Sequence, residues 1–220
     1  MSVYIDVWHR THPLTPAAHA RFLDYYARHV VAPPSQYFEV VAGFRYLDGP
    51  TNEDFALYRY ASMSDIEASM RSYAVEGETL EATLETFAAL EIEETRGIAL
   101  HLPHTPQARL DEAITDSGSG EDHRFVRHVR TCGGNERPAA FSLLERQRDQ
   151  TEKASGARLV VGFEYIVGPV MDLVEIWRLP NDDQGFAVDA VEADLRQELA
   201  AIAPERERRR IAPAAFSRLR

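Results

Sequence analysis

The chain carries one cysteine, Cys132, and one lysine, Lys153, among its 220 residues. A single thiol excludes an internal disulfide, and with it any zinc or iron–sulfur site built from several cysteines. A single lysine confines Schiff-base chemistry to Lys153, which sits in the very polar run 146–154, where nothing would lower its pKa. The other 23 basic residues are arginine, the bias of a GC-rich bacterial genome. Positive charge is in short supply overall, with a net charge of −11. Such a chain repels phosphate backbones and anionic lipid, so neither nucleic acid nor a membrane is expected as a partner. No apolar run approaches the ~18–20 residues of a membrane span. The first residues show no basic n-region and no apolar h-region, so a cytoplasmic protein is expected. The G-x-S-x-G elbow and the G-x-G-x-x-G loop are missing. Gly133-Gly134 is not followed by the Lys-Ser/Thr of a phosphate loop.

What is present is ordinary globular material, 45% hydrophobic and 27% charged, in a length that supports a core. Val3–Thr11 alternates and is rich in β-formers, which predicts a strand. Thr15 followed by Pro16 opens a helix as N-cap and first helical residue, and Pro33-Pro34 ends it. Phe38–Leu47 and Asp54–Ala61 read as strands joined by the turn Asp48-Gly49-Pro50. A helical region broken near Gly77 and a short strand Gly97–Leu102 follow. The order is β-α-β-β-α-β.

The second half repeats it. Arg124–Thr131 reads as a strand, and Pro138-Ala139-Ala140 opens a helix as Pro16-Ala17-Ala18 does. Strands follow at Arg158–Val167 and Leu173–Leu179. A helix is marked by Phe186, Val188, Val191, Leu195, Leu199 and Ile202, and a last strand falls in Ile211–Leu219 despite Pro213. Pro16 matches Pro138, Gly43 matches Gly162, and Pro50 matches Pro169, in the same element order. The expected organisation is a first repeat at 1–104, a polar linker at 105–122 with Ser-Gly-Ser-Gly composition, and a second repeat at 123–220.

A β-α-β-β-α-β unit is ferredoxin-like, with one sheet face under two helices and the other wet or covered. Two such repeats in one chain can cover each other. On these residues the chain resembles the dimeric α+β barrel superfamily in tandem form. The stretches Val40-Val41-Ala42-Gly43-Phe44 through Gly49-Pro50 to Phe55–Tyr60, and Val161-Gly162-Phe163 through Gly168-Pro169 to Val174-Glu175-Ile176-Trp177, resemble the NIPSNAP-type repeat. The first half departs from it in having Arg59 where the second is read as having Trp177. The fold expected is α+β, two ferredoxin-like repeats forming an intramolecular pseudo-dimeric barrel.

Strand parity assigns faces. Val3, Ile5 and Val7 suit the helices, leaving Tyr4, Asp6 and Trp8 opposite. Ala56, Tyr58 and Tyr60 likewise leave Leu57 and Arg59 opposite. Shifts of 122 and 118 residues carry that inner face onto Val126, His128 and Arg130, and onto Glu175 and Trp177. The resulting set is aromatic walls with a few polar groups, the composition of a ligand pocket. The plain alternative is a wet sheet face with structural ion pairs. His128 beside Glu175 is either a proton acceptor oriented by a carboxylate or a satisfied core histidine. Arg59 and Arg130 either hold an oxyanion or neutralise Asp6 and Glu175. His9 and His12 lack a carboxylate at ligand spacing. His101 and His104 flank Pro103. Cys132 reads as an incidental thiol, and Glu205–Arg210 as a solvated helix end.

The superfamily resemblance implies a small-molecule enzyme of specialised metabolism, without metal or organic cofactor. Its substrate would be aromatic or polyketide-like, and its reaction of monooxygenase, cyclase or isomerase type. His128, Glu175 and Arg130 would do the chemistry, while Tyr4, Asp6, Trp8, Arg59 and Trp177 bind substrate. A homo-oligomer stays open. The alternatives are a binding module without turnover, a filled structural interface, and a haem enzyme with His128 or His101 as axial ligand.

Overall fold

Alternating strands and proline-opened helices place the elements in chain order: β1 (Val3–Thr11), α1 (Pro16–Tyr26), β2 (Phe38–Tyr46), β3 (Glu53–Tyr60), α2 (Met63–Val75), α3 (Gly77–Ala89), β4 (Ile92–His101), α4 (Ala108–Asp116), β5 (Arg124–Thr131), α5 (Arg137–Ser155), β6 (Arg158–Val167), β7 (Asp172–Leu179), α6 (Ala193–Ile202) and β8 (Glu205–Pro213). This is a computed structural model, and it describes residues 2–11, 15–32, 35–50, 52–75, 77–116, 124–180 and 191–219. Among the described residues no helix is long and apolar enough to cross a membrane.

The strands are hydrogen-bonded in the order β1-β3-β2-β8-β5-β7-β6-β4, which closes as a barrel. Each repeat keeps the ferredoxin-like order, β4-β1-β3-β2 and β8-β5-β7-β6. The fold is therefore an α+β barrel of two β-α-β-β-α-β repeats. The chain resolves into two compact units. Unit 1 is Met1–Ile98 with Pro213–Leu219, and unit 2 is Ala99–Ala212 with Arg220.

In unit 1 the Thr15 hydroxyl accepts from the Ala18 N–H at 3.1 Å and starts α1. The helix buries Ala18, Phe22 and Tyr26, and continues as a π-turn over Ala27–Val31. Gly49 lies at φ 94 in the turn between β2 and β3, as Gly168 lies at φ 103 between β6 and β7. Both turns need the left-handed backbone that glycine adopts at little cost. In unit 2, α5 and α6 lay Ala140, Leu144, Leu195 and Leu199 on Leu173, Leu102 and Cys132.

Several segments differ from the sequence reading, β4 among them, which starts at Ile92 and not at Gly97. The last strand is β8, over Glu205–Pro213, not Ile211–Leu219. The charge run at 205–210 is therefore a strand paired to β5, not a helix end. Pro213 is the last residue of the strand and lies beyond the β5 pairing, so it does not interrupt that ladder. Residues 105–122, read as a linker, contain helix α4, whose Leu110 and Ala113 are buried. Part of the helix predicted from Phe186 onward lies outside the described residues, and α6 begins at Ala193.

Candidate functional site

The register decides which side chains share a face. In unit 1, Val7 pairs with Ala56 and Gly43 pairs with Ala56. In unit 2, His128 pairs with Glu175 and Gly162 pairs with Glu175. Glu175 is thus the counterpart of Ala56, and His128 of Val7, at shifts of 119 and 121 residues. The shifts of 118 and 122 used on the sequence are each wrong by one. A one-residue slip moves every side chain to the opposite face.

For unit 1 the assigned faces hold. His9, in phase with Val3, Ile5 and Val7, packs on Phe22 and Tyr26 of α1 at ring separations of 4.9 Å. The Tyr58 hydroxyl is hydrogen-bonded to that of Tyr26. Tyr4, Asp6 and Trp8 therefore point to the other face of the sheet, with Arg59. Tyr4 and Asp6 are buried there. Trp8 lies under the Arg10 guanidinium at 4.9 Å, and Arg59 donates to Glu39 at 3.2 Å.

For unit 2 the inward placement of His128, Arg130, Glu175 and Trp177 is corrected. Leu173, in phase with Glu175 and Trp177 on β7, packs into the core made by α5 and α6. Arg130 donates through Nη1 to the Ala203 carbonyl at the end of α6, at 3.0 Å. These four side chains lie in the layer between sheet and helices. The opposite face carries Arg127 instead, whose Nη2 donates to the Tyr165 hydroxyl at 3.1 Å.

The helix-side layer of unit 2 holds a connected polar centre. The Glu175 carboxylate, 2% exposed, accepts from His104 Nε2 at 2.7 Å and from Trp177 Nε1 at 3.2 Å. His128 Nδ1 lies 3.9 Å from Glu175 Oε2, an ion-pair distance but not a hydrogen bond. His128 Nε2 instead bonds Glu205 Oε2 at 3.0 Å. Arg208 also pairs with Glu205. The Nδ1 atoms of His128 and His104 are buried without a hydrogen-bond partner.

Electrostatics sort these groups. Burial pushes His128 below its usual value, and the nearby Arg130 and Arg208 charges add to that, against the Glu205 bond and the Glu175 charge. Its imidazole is neutral near neutral pH. Burial would raise Glu175, but the His104 hydrogen bond and the charges of His104, His128 and Arg130 hold it below the usual carboxylate range. The His128 bond, with Arg208, holds Glu205 down to about 2. A neutral imidazole beside an ionised, water-excluded carboxylate is equipped to accept a proton.

His104 and Glu205 were missed as members of this centre. His104 carries no local signal beyond a histidine beside a proline, and Glu205 sat in a run read as solvated. Unit 1 holds a second buried cluster that sequence spacing did not reveal. Asp54 accepts from His9 Nδ1 at 2.9 Å and His19 Nε2 at 2.8 Å, and His9 Nε2 lies 3.3 Å from Glu94. His12 lies outside the described residues. Among those described, no group of three or more His, Cys, Asp or Glu side chains is arranged to hold a metal ion. Cys132 is buried in the α5–α6 core, which pushes its thiol up, away from nucleophilic use.

No protein-family model matches the sequence, and neither does any curated protein. Solved structures do match. An anthrone oxidase-like protein superimposes with a TM-score of 0.61 at 13% identity, over 96% of this chain and 91% of that one. A monooxygenase by assignment, from Lactobacillus acidophilus NCFM, gives 0.60 at 9% identity over 98% and 95%. A mutant chlorite dismutase from Candidatus Nitrospira defluvii gives 0.51 at 10% identity over 97% and 92%. These likenesses establish the fold, that of the dimeric α+β barrels.

A haem reading can be tested on the histidines themselves. His101 Nε2 bonds the Thr105 carbonyl at 2.6 Å, and His128 is turned to Glu205 through Nε2 and to Glu175 through Nδ1. In both histidines Nε2 is engaged within the protein, while His128 Nδ1 is buried beside the Glu175 carboxylate.

Proposed function

We propose that the chain is a small-molecule enzyme of monooxygenase type that uses no organic cofactor and acts on an aromatic or polyketide-like substrate with an acidic C–H beside a carbonyl. The observation that carries the reading is the unlike pair of buried groups in unit 2. Glu175 and His128 stand where the first repeat has Ala56 and Val7. The fold does not need a carboxylate or an imidazole at those points. Burying an ionised carboxylate costs on the order of several kcal/mol unless it is well paired, and a buried imidazole must also satisfy its ring nitrogens. Such a cost at a position that tolerates alanine or valine favours chemistry over structure.

In this reading neutral His128 takes the proton, Glu175 stabilises the imidazolium that forms, and Arg130 holds the enolate oxygen. The carbanion's electrons pass to dioxygen. One oxygen atom becomes the new carbonyl oxygen, and the other leaves as water with the two hydrogens of the former methylene. One methylene and one dioxygen thus give one carbonyl and one water. Cyclisation or isomerisation would use the same first proton transfer without dioxygen. Tyr4, Asp6, Trp8 and Arg59 remain candidates for binding substrate on the face of the unit 1 sheet opposite its helices. Trp177 becomes a hydrogen-bond donor to Glu175 instead of a substrate wall.

The test is oxygen consumption with a panel of anthrone-like aromatic ketones. Wild type should turn over at least one of them, and His128→Ala should lose about 100-fold or more of the rate, the usual contribution of a positioned base. Full activity in His128→Ala would remove the assignment. Saturable binding with no turnover by wild type would mark a binding module instead.

A further inference from the structure

The segment after β4 does not end the first repeat; it enters unit 2. The Leu102 N–H donates to the Gly162 carbonyl at 2.9 Å, as the Ala214 N–H donates to the Gly43 carbonyl at 2.8 Å after β8. Leu102 and Ala214 are therefore counterparts, and so are His104 and Phe216. Phe216 lies against Gly43 and packs on Tyr26. His104 is its counterpart by position along the segment, but Thr105 and Leu102 lie over Gly162, and the His104 ring reaches Glu175 instead. A Cβ on Gly162 would stand 2.5 Å from Thr105 Oγ1, so the strand is kept bare where this segment crosses it.

The segment is fastened at several points. The Thr105 N–H returns to the Leu102 carbonyl at 3.1 Å, and His101 Nε2 bonds the Thr105 carbonyl. Arg148 of α5 donates to the His104 carbonyl. In unit 1 the counterpart residue, Phe216, serves as a filler between Gly43 and Tyr26. A histidine whose Nε2 meets a fully buried carboxylate does something a filler cannot.

We propose that His104 is the positioning residue of the unit 2 centre: delivered by the segment that follows β4, it holds the Glu175 carboxylate ionised and oriented toward His128. It touches no reacting atom and acts through Glu175. The inference rests on the reading of Glu175 and His128 as the working pair, but its test needs no substrate.

The chain has two tryptophans, Trp8 and Trp177. Trp177 Nε1–H donates to Glu175, so its indole resonance in a 15N-labelled protein reports the charge on that carboxylate. The resonance is followed from pH 8 to pH 3 in wild type, His104→Phe and His104→Gln, with Glu175→Gln identifying the signal. In wild type the indole shift should stay flat until below the ordinary carboxylate range. In His104→Phe its midpoint should rise by about one pH unit or more, because the donor is gone and burial then dominates. His104→Gln keeps an amide donor and should fall between. A folded His104→Phe protein that titrates where wild type does would overturn the proposal. Should that variant not fold, His104→Asn, smaller and too short to reach the carboxylate, makes the same comparison with the same two outcomes. If the midpoint moves as stated but no ketone is turned over, His104 keeps its role and the monooxygenase reading is what fails.

Discussion

A histidine pressed against three aromatic rings would ordinarily be neutral. His9 packs on Phe22, Tyr26 and Phe87, and burial by itself lowers its pKa. The hydrogen bonds to Asp54 and Glu94, and their charges, outweigh burial and raise it to about 9. His128 is buried as deeply and goes the other way: burial, with the Arg130 and Arg208 charges added, outweighs the Glu205 bond and the Glu175 charge. The sign of the pH dependence follows. His9 is raised in the folded state, so its contribution is complete below its ordinary value of 6.5 and is lost as pH rises through about 9. The loss should be on the order of 3 kcal/mol at most. Urea denaturation at pH 6 and at pH 10 measures it. Wild type should lose more stability over that interval than His9→Gln, and equal losses would show that His9 carries no raised pKa. None of this was visible in the sequence, where His9 stood with His12 and no carboxylate at useful spacing. Asp54 is 45 residues away and meets His9 only through β1–β3 pairing.

At the level of elements, local chemistry was legible and register was not. Thr15-Pro16 set the start of α1, which with its π-turn ends at Val31, before the prolines expected to stop it, and the Gly49 and Gly168 turns fell where the sequence placed them. β1, β5 and β6 span the predicted residues. The failure was one residue in the alignment of the two halves. Both β2 and β6 carry a register irregularity, between Val40 and Ala42 and between Leu159 and Val161. Such bulges re-aim side chains without leaving a strong mark in composition. They fall at equivalent places in the two repeats, so the slip lies instead in the spacing of β1 to β5 and of β3 to β7, 121 and 119 residues, which no local signal marks. Two glycines allow a test at this scale. A Cβ on Gly43 would fall within the Phe216 ring, and one on Gly162 against Thr105 and Leu102. Gly43→Ala and Gly162→Ala should each cost about 1–3 kcal/mol by overpacking. Adding Phe216→Ala to Gly43→Ala should recover part of the first loss, which denaturant midpoints would record. Strict additivity of the two would mean that the ring is not the obstacle.

Across the whole molecule the two units exchange segments. Unit 1 takes Pro213–Leu219, and unit 2 takes the residues from Ala99 onward. Shortening the chain to end at Ala212 removes the Ala214 N–H bond to Gly43, the Ser217 Oγ that accepts from the Gly43 N–H at 3.1 Å, and the Phe216 ring. The effect should appear in unit 1, as faster amide exchange along β2 and β3, with α5 and β6 changed least. Uniform exchange in the shortened and full chains would show that the segment is dispensable. The sequence by itself determined the α+β class, the order of the strands, and the Thr15-Pro16 cap and the Gly49 and Gly168 turns, because these follow from spacing and local backbone chemistry. Only the tertiary structure decided that Glu175 meets His104 and that Asp54 lies between His9 and His19. Those contacts join residues 71, 45 and 35 positions apart, and their geometry depends on strand register, which pairing and packing fix and local sequence does not.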